Sequence, residues 1–218
     1  MIRFSSMKEW KNYCFTTHKN YIRNKYFMCW NKEKNINIFN YALLSEDDAN
    51  QIKKSMENAL RLCSKDFKIK MFKRRFDELN FAVKDGKLIG RKILDMVKQS
   101  RIRGKSCNAC IFLVNKRVES DAALLEFGDA LTFVSDGVMI FTFDPSIKYP
   151  KAFFGNEITH ETCHLLGLNV HHEDTEVEGY GKQSKCVMGY NAPAEKLCQK
   201  CKDGLLSFWQ GIKYATRS

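Results

Sequence analysis

Four of the five histidines in this chain fall between His160 and His172, in the stretch THETCHLLGLNVHH. Within it, HETCH at 160–164 is H-E-x-x-H, and that spacing constrains the fold more than any other feature. On a helix, His160 and His164 stand one turn apart on the same face. Their nitrogens can then meet a single Zn²⁺ at about 2.0–2.1 Å, while Glu161 is placed to hold and deprotonate a water rather than to ligate. Three fixed positions also recur by chance, and a lone histidine is more often an ordinary core or surface residue. Three further features weigh against that bland reading. The helix is expected to close at Gly167, so His171 or His172 can swing a third nitrogen back, leaving the open fourth position of catalytic zinc. CVMGY follows at 186–190. Cys198 and Cys201, three residues apart on an expected last helix, present two thiolates on one face.

The rest of the chain bounds what can surround this site. Its 218 residues, 44% hydrophobic and 12% aromatic, suit one ordinary globular domain or at most two small ones. Apolar runs such as IFLV at 111–114 and VMIF at 138–141 fall far short of the roughly 20 residues of a membrane span. The start, MIRFSSMKEWKNYCF, lacks the apolar block of a secretory signal, so a soluble, cytoplasmic protein without a membrane partner is expected. Nine cysteines, an odd number, fit reduced thiols better than a disulfide framework. In a reducing compartment the C-x-x-C pairs CNAC (107–110) and CQKC (198–201) point to metal or redox chemistry.

Secondary-structure signals alternate. SEDDANQIKKSMENALRLC predicts a helix capped by Ser45, with Ile52, Met56, Ala59, Leu60 and Cys63 at helical spacing. FKIKMF at 67–72 alternates as a strand does, KDG at 84–86 is a turn, and KLIGRKILDMVKQSRI is a second amphipathic helix. CIFLVNKRV and GVMIFTFD are strand candidates, and Pro150 to Gly167 reads as one helix. Such alternation argues for a sheet with helices packed against it, an α/β (α+β) class. Residues 1–44, basic and aromatic-rich without clean periodicity, are expected as an extension packed on a single domain spanning 45–218. Residues 1–118 carry 27 Lys/Arg against 11 Asp/Glu, and 119–218 carry 9 against 14. A basic half can be a footprint for nucleic acid or an acidic protein, but its charges form no single block, which favours a solvated surface.

These motifs resemble the metzincin metallopeptidases, whose pattern is H-E-x-x-H-x-x-G-x-x-H followed by a turn with an invariant methionine. More narrowly they resemble the archaemetzincins, which add a cysteine after the third histidine, a C-x-M at the turn and a final C-x-x-C. The resemblance covers about residues 125–205 and includes FGDALTFVSDGVMIFTF upstream of the helix. It implies a twisted mixed sheet with an active-site helix, a methionine turn and a C-terminal helix. It also implies two Zn²⁺ per chain. His160, His164 and His171 would hold the catalytic ion, with Asp174 or His172 as alternatives to His171. His172, Cys186, Cys198 and Cys201 would hold a structural one. The chain departs from the pattern in placing Val170 where the family has its third histidine; one extra residue brings His171 into that role, and His172 then stands where the family has a cysteine.

By the same resemblance Met188 forms an apolar floor under the histidines, and Tyr190 hydrogen-bonds the transition-state oxyanion or is simply a loop aromatic. The implied activity is zinc-dependent hydrolysis of peptide bonds in a peptide or protein substrate, by attack of a zinc-bound water with Glu161 as general base. The strand around 138–143 would pair with the extended substrate. Two rivals remain at this stage. One is a catalytically silent zinc module that binds nucleic acid or an acidic protein through the basic half. The other is a zinc ribbon built from both C-x-x-C pairs, to which Cys107 and Cys110 would contribute. The oligomeric state is not legible.

Overall fold

The structure is a computed structural model that describes residues 2–6, 8–9, 35–61, 67–102, 109–120, 124–133, 136–144, 146–168, 171, 175–177, 186–189 and 196–215. The first half runs β1 (Ile2–Phe4), β2 (Asn35–Asn40), α1 (Glu46–Leu60), β3 (Lys68–Lys73), a 3-10 segment (Phe76–Ala82), β4 (Val83–Lys84), β5 (Lys87–Ile89) and α2 (Gly90–Ile102). The second runs β6 (Ala109–Val114), β7 (Val118–Glu119), β8 (Leu124–Leu125), β9 (Ala130–Phe133), β10 (Val138–Thr142), α3 (Lys151–Phe153), a π turn (Phe154–Ile158), α4 (Thr159–Leu165), β11 (Thr175–Val177) and α5 (Gln199–Ala215).

A five-stranded mixed sheet in the order β3-β2-β6-β10-β9 is the frame. Its first four strands are parallel, and β9 runs antiparallel to β10 with Thr132 opposite Met139. β6 and β10 read as near-continuous apolar runs because both of their faces are covered. Ile111, Leu113, Met139 and Phe141 face one core with Ile52, Met56 and Ala59 of α1, Ile158 and Cys163 beside the histidines, and Leu205, Phe208 and Trp209 of α5. Phe112, Val114, Val138 and Ile140 face the other, against Ile93, Leu94 and Val97 of α2.

α1 begins where the sequence places it: the Asp48 N–H donates to Ser45 Oγ at 3.2 Å, and Glu46, Asp47 and Asp48 suit the positive end of the helix. Asp85 and Gly86, both at positive φ, make the two-residue turn between β4 and β5. The segment expected as an N-terminal extension supplies Asn35–Asn40 as β2, paired on both sides within the sheet. Asparagine is a poor strand former, and it masks the alternation that buries Ile36, Ile38 and Asn40. A small second sheet has the order β4-β5-β7-β8, and β1 pairs with β11 alone. Among the described residues no helix is long and apolar enough to cross a membrane.

Candidate active site and metal centres

The helix expected over 150–167 is present with one irregularity. After α3 the backbone widens into the π turn before tightening into α4. One inserted residue turns everything after it by about 100° relative to a continuous α-helix. Phe154 and Ile158 of the π turn are buried, and Phe153 and Phe154 pack with Phe141, Phe143 and Tyr149, so the start of the helix is locked to β10. At the other end the Gly167 N–H donates to the His164 carbonyl and the Leu168 N–H to that of Cys163, the paired closure of a Schellman motif. Gly167 sits at φ 108, and the Trp209 indole N–H donates to the Leu166 carbonyl at 3.1 Å.

Between these anchors the imidazoles converge. Ring centroids of His160 and His164 are 4.7 Å apart, and each lies 5.2 Å from that of His171. One ligand atom from each of the three falls within 4.8 Å of the others. The tautomers follow from the neighbours. His160 Nδ1 lies 2.7 Å from the Val187 carbonyl oxygen, and His164 Nδ1 lies 2.6 Å from that of Leu168. A carbonyl oxygen only accepts, so both Nδ1 atoms donate, and in the neutral rings both Nε2 atoms present lone pairs. These two Nε2 atoms face each other at 3.0 Å. Between neutral rings neither can donate to the other, and such a pair repels unless a cation lies between them. Two nitrogens bound tetrahedrally to one zinc sit about 3.3 Å apart, so the donor set fits that ion. Burial and the neighbouring His160 push the His164 pKa down to about 4, which keeps it a neutral ligand.

Glu161 sits beside the triad, its Oε1 4.0 Å from His160 Nε2. Its other oxygen, Oε2, accepts from the Thr132 hydroxyl at 2.7 Å, which aims the carboxylate. Burial raises the Glu161 pKa, and the Thr132 hydrogen bond opposes that rise. Thr132 belongs to β9, the end strand of the sheet, whose outer edge no described strand occupies. This corrects the expectation for an extended substrate. β10 lies between β6 and β9 and has both edges paired, so an incoming strand cannot pair with it; beside Glu161 the edge that no described strand occupies is that of β9.

The cysteines form a second cluster, with ligand atoms of Cys186, Cys198 and Cys201 within 4.8 Å of one another. Cys186 and Cys201 Sγ are 3.8 Å apart, the separation expected for two thiolates about 2.3 Å from one tetrahedral zinc. The Lys202 N–H donates to the Cys198 carbonyl, so Cys198 caps α5, and its own N–H donates to Cys186 Sγ at 3.3 Å. Hydrogen bonds from the Cys198 and Cys201 thiols pull Cys186 strongly towards thiolate, while sharing their protons with it holds those two up. One anionic sulfur ringed by two protonated ones is a site where a divalent ion can take the place of the protons. All five described cysteines are free thiols; Cys110 on β6 and buried Cys163 on α4 belong to neither cluster.

Cys186–Gly189 is a tight turn closed by the Gly189 N–H on the Cys186 carbonyl. It ties both centres together: Cys186 belongs to one, Val187 orients His160 in the other, and Met188 is fully buried in the core. His172, Asp174, Tyr190 and Cys107, all named in the sequence reading, lie outside the described residues. Thr132 and the carbonyls of Val187 and Leu168 were not legible: threonine in a strand carries no signal, and every residue has a carbonyl.

No protein-family model matches the sequence, and no curated protein matches it either. Among solved structures, archaemetzincin from Methanopyrus kandleri superposes with a TM-score of 0.57 at 15% identity, over 81% of this chain and 95% of that one. With its mixed sheet, histidine-bearing helix and closing helix, the chain has an archaemetzincin-like fold.

Proposed function

We propose that the protein is a zinc-dependent metallopeptidase. The observation that carries this reading is the convergence of His160 and His164 Nε2 with His171, beside a carboxylate aimed by Thr132. A purely structural metal site has no need of Glu161. His160, His164 and His171 would hold the catalytic ion, and Cys186, Cys198 and Cys201, with His172 as fourth ligand, a structural one. Zn²⁺ at the three imidazoles supplies Lewis acidity, which makes water nucleophilic near neutral pH and polarises a peptide carbonyl. Glu161 takes the proton of the attacking water and passes it to the leaving amine. A peptide substrate lies as an added strand along the free edge of β9, which brings its carbonyls past Glu161. Tyr190 is the candidate donor to the oxyanion.

The test is Glu161→Ala. Two zinc ions stay bound while peptide cleavage falls to background. Cleavage that continues at the wild-type rate ends the mechanism.

A further inference from the structure

Of the three imidazoles only that of His171 lies outside the histidine-bearing helix, four residues beyond Gly167. Upstream the chain is pinned at Leu168, whose N–H donates to the Cys163 carbonyl and whose carbonyl accepts from His164. Downstream the next described segment is β11, and it runs parallel to β1 with Ile2 opposite Thr175, Arg3 opposite Glu176 and Phe4 opposite Val177. No other described strand joins this pair. A two-stranded ribbon is marginal by itself, and three residues per strand is shorter than most, so each strand depends on the other. Thr175 is four residues beyond His171, at most about 14 Å of extended chain. Pinning both flanks removes most of the conformations the His171 ring could otherwise visit, an entropy the metal would have to overcome on binding.

We propose that Ile2–Phe4 is a positioning strand for the third metal ligand: its pairing with Thr175–Val177 fixes the chain four residues beyond His171 and so holds that ring against His160 and His164. This rests on reading the three histidines as metal ligands. The three cysteines sit apart from them, on the 186–189 turn and at the start of α5, which are packed in the core, so their sulfurs stay together whatever happens to the chain around His171 and His172.

The experiment uses the whole chain, stripped of metal and titrated with Co²⁺, whose thiolate charge-transfer bands report the cysteine site and whose d–d bands report the imidazole site. Three proteins are compared: wild type, Ile2→Pro/Arg3→Pro/Phe4→Pro, which removes every N–H of β1, and Ile2→Val/Phe4→Leu, which keeps them. In the proline variant the imidazole site weakens about ten- to hundredfold, the range for removing the support of a ligand, while the three sulfurs still take up an ion and show their charge-transfer bands. The conservative variant matches wild type at both. Equal affinity of the proline variant for both ions overturns the proposal. So does simultaneous loss of both sites, which would make the ribbon a general stabiliser. A wild type with no imidazole-bound ion defeats instead the metallopeptidase reading on which the proposal rests.

Discussion

Gly167→Ala tests how the histidine-bearing helix is ended. The residue sits at φ 108, and a Cβ there would lie 3.0 Å from Phe208 Cε1 and 3.4 Å from its Cζ. An L-residue forced into left-handed backbone costs about 1–2 kcal/mol. Lower entropy of the unfolded chain returns about 0.4–1 kcal/mol. Phe208 is only 6% exposed and packs edge-on against Trp209, so its ring cannot simply swing out, and overpacking adds about 1–2 kcal/mol. The net expectation is a loss of about 2 kcal/mol.

The packing part is separable. In a Phe208→Ala background the clash is gone, and Gly167→Ala should cost only about 1 kcal/mol, a coupling near 1 kcal/mol between residues in contact. Equilibrium urea unfolding of the four proteins at saturating zinc measures the cycle. A cost below about 0.5 kcal/mol in the wild-type background would refute the positive-φ argument. Equal costs in both backgrounds would refute the packing argument and leave the backbone one standing.

Three other outcomes are expected. Thr132→Val removes the hydroxyl that aims Glu161, so turnover should fall by about ten- to hundredfold, as for a lost hydrogen bond to a charged group, with zinc content and KM unchanged; a change in KM alone would contradict that role. If the proposed two-zinc reading holds, Cys201→Ala should release one of the two ions, detected by atomic absorption, and lower the melting temperature while the histidine site still fills. Burial and then the negative charge of Glu78 push the Tyr41 pKa up to about 12, against about 10 in the unfolded chain. The fold therefore favours the neutral phenol, and stability present below pH 10 is lost as pH rises from 10 towards 12, by on the order of 1 kcal/mol. Tyr41→Phe should flatten that alkaline decline in a pH series of urea melts.

Several elements were readable because their signals are local. Ser45 with three acidic residues behind it caps α1, and the doubly apolar strands β6 and β10 announce a sheet covered on both faces. β9 was not separated from its surroundings, because ALTF is short and half-buried and its role is set by what lies beside it. The π turn was hidden for another reason: one inserted residue leaves the apolar positions Phe154 and Ile158 at ordinary helical spacing.

Taken alone, the sequence determined that His160 and His164 share a face, that Gly167 closes their helix, and that a cysteine pair three residues apart stands ready at the last one. All of these depend on the helical period or on the φ freedom of a single residue, which a few neighbouring positions specify. Only the tertiary structure decided that Val187, 27 residues from His160, orients its ring, that Thr132, 29 residues from Glu161, aims its carboxylate, and that Ile2 lies opposite Thr175. Contacts that remote exist because the sheet order and the turn at 186–189 close the chain in one particular way. No local spacing carries that information.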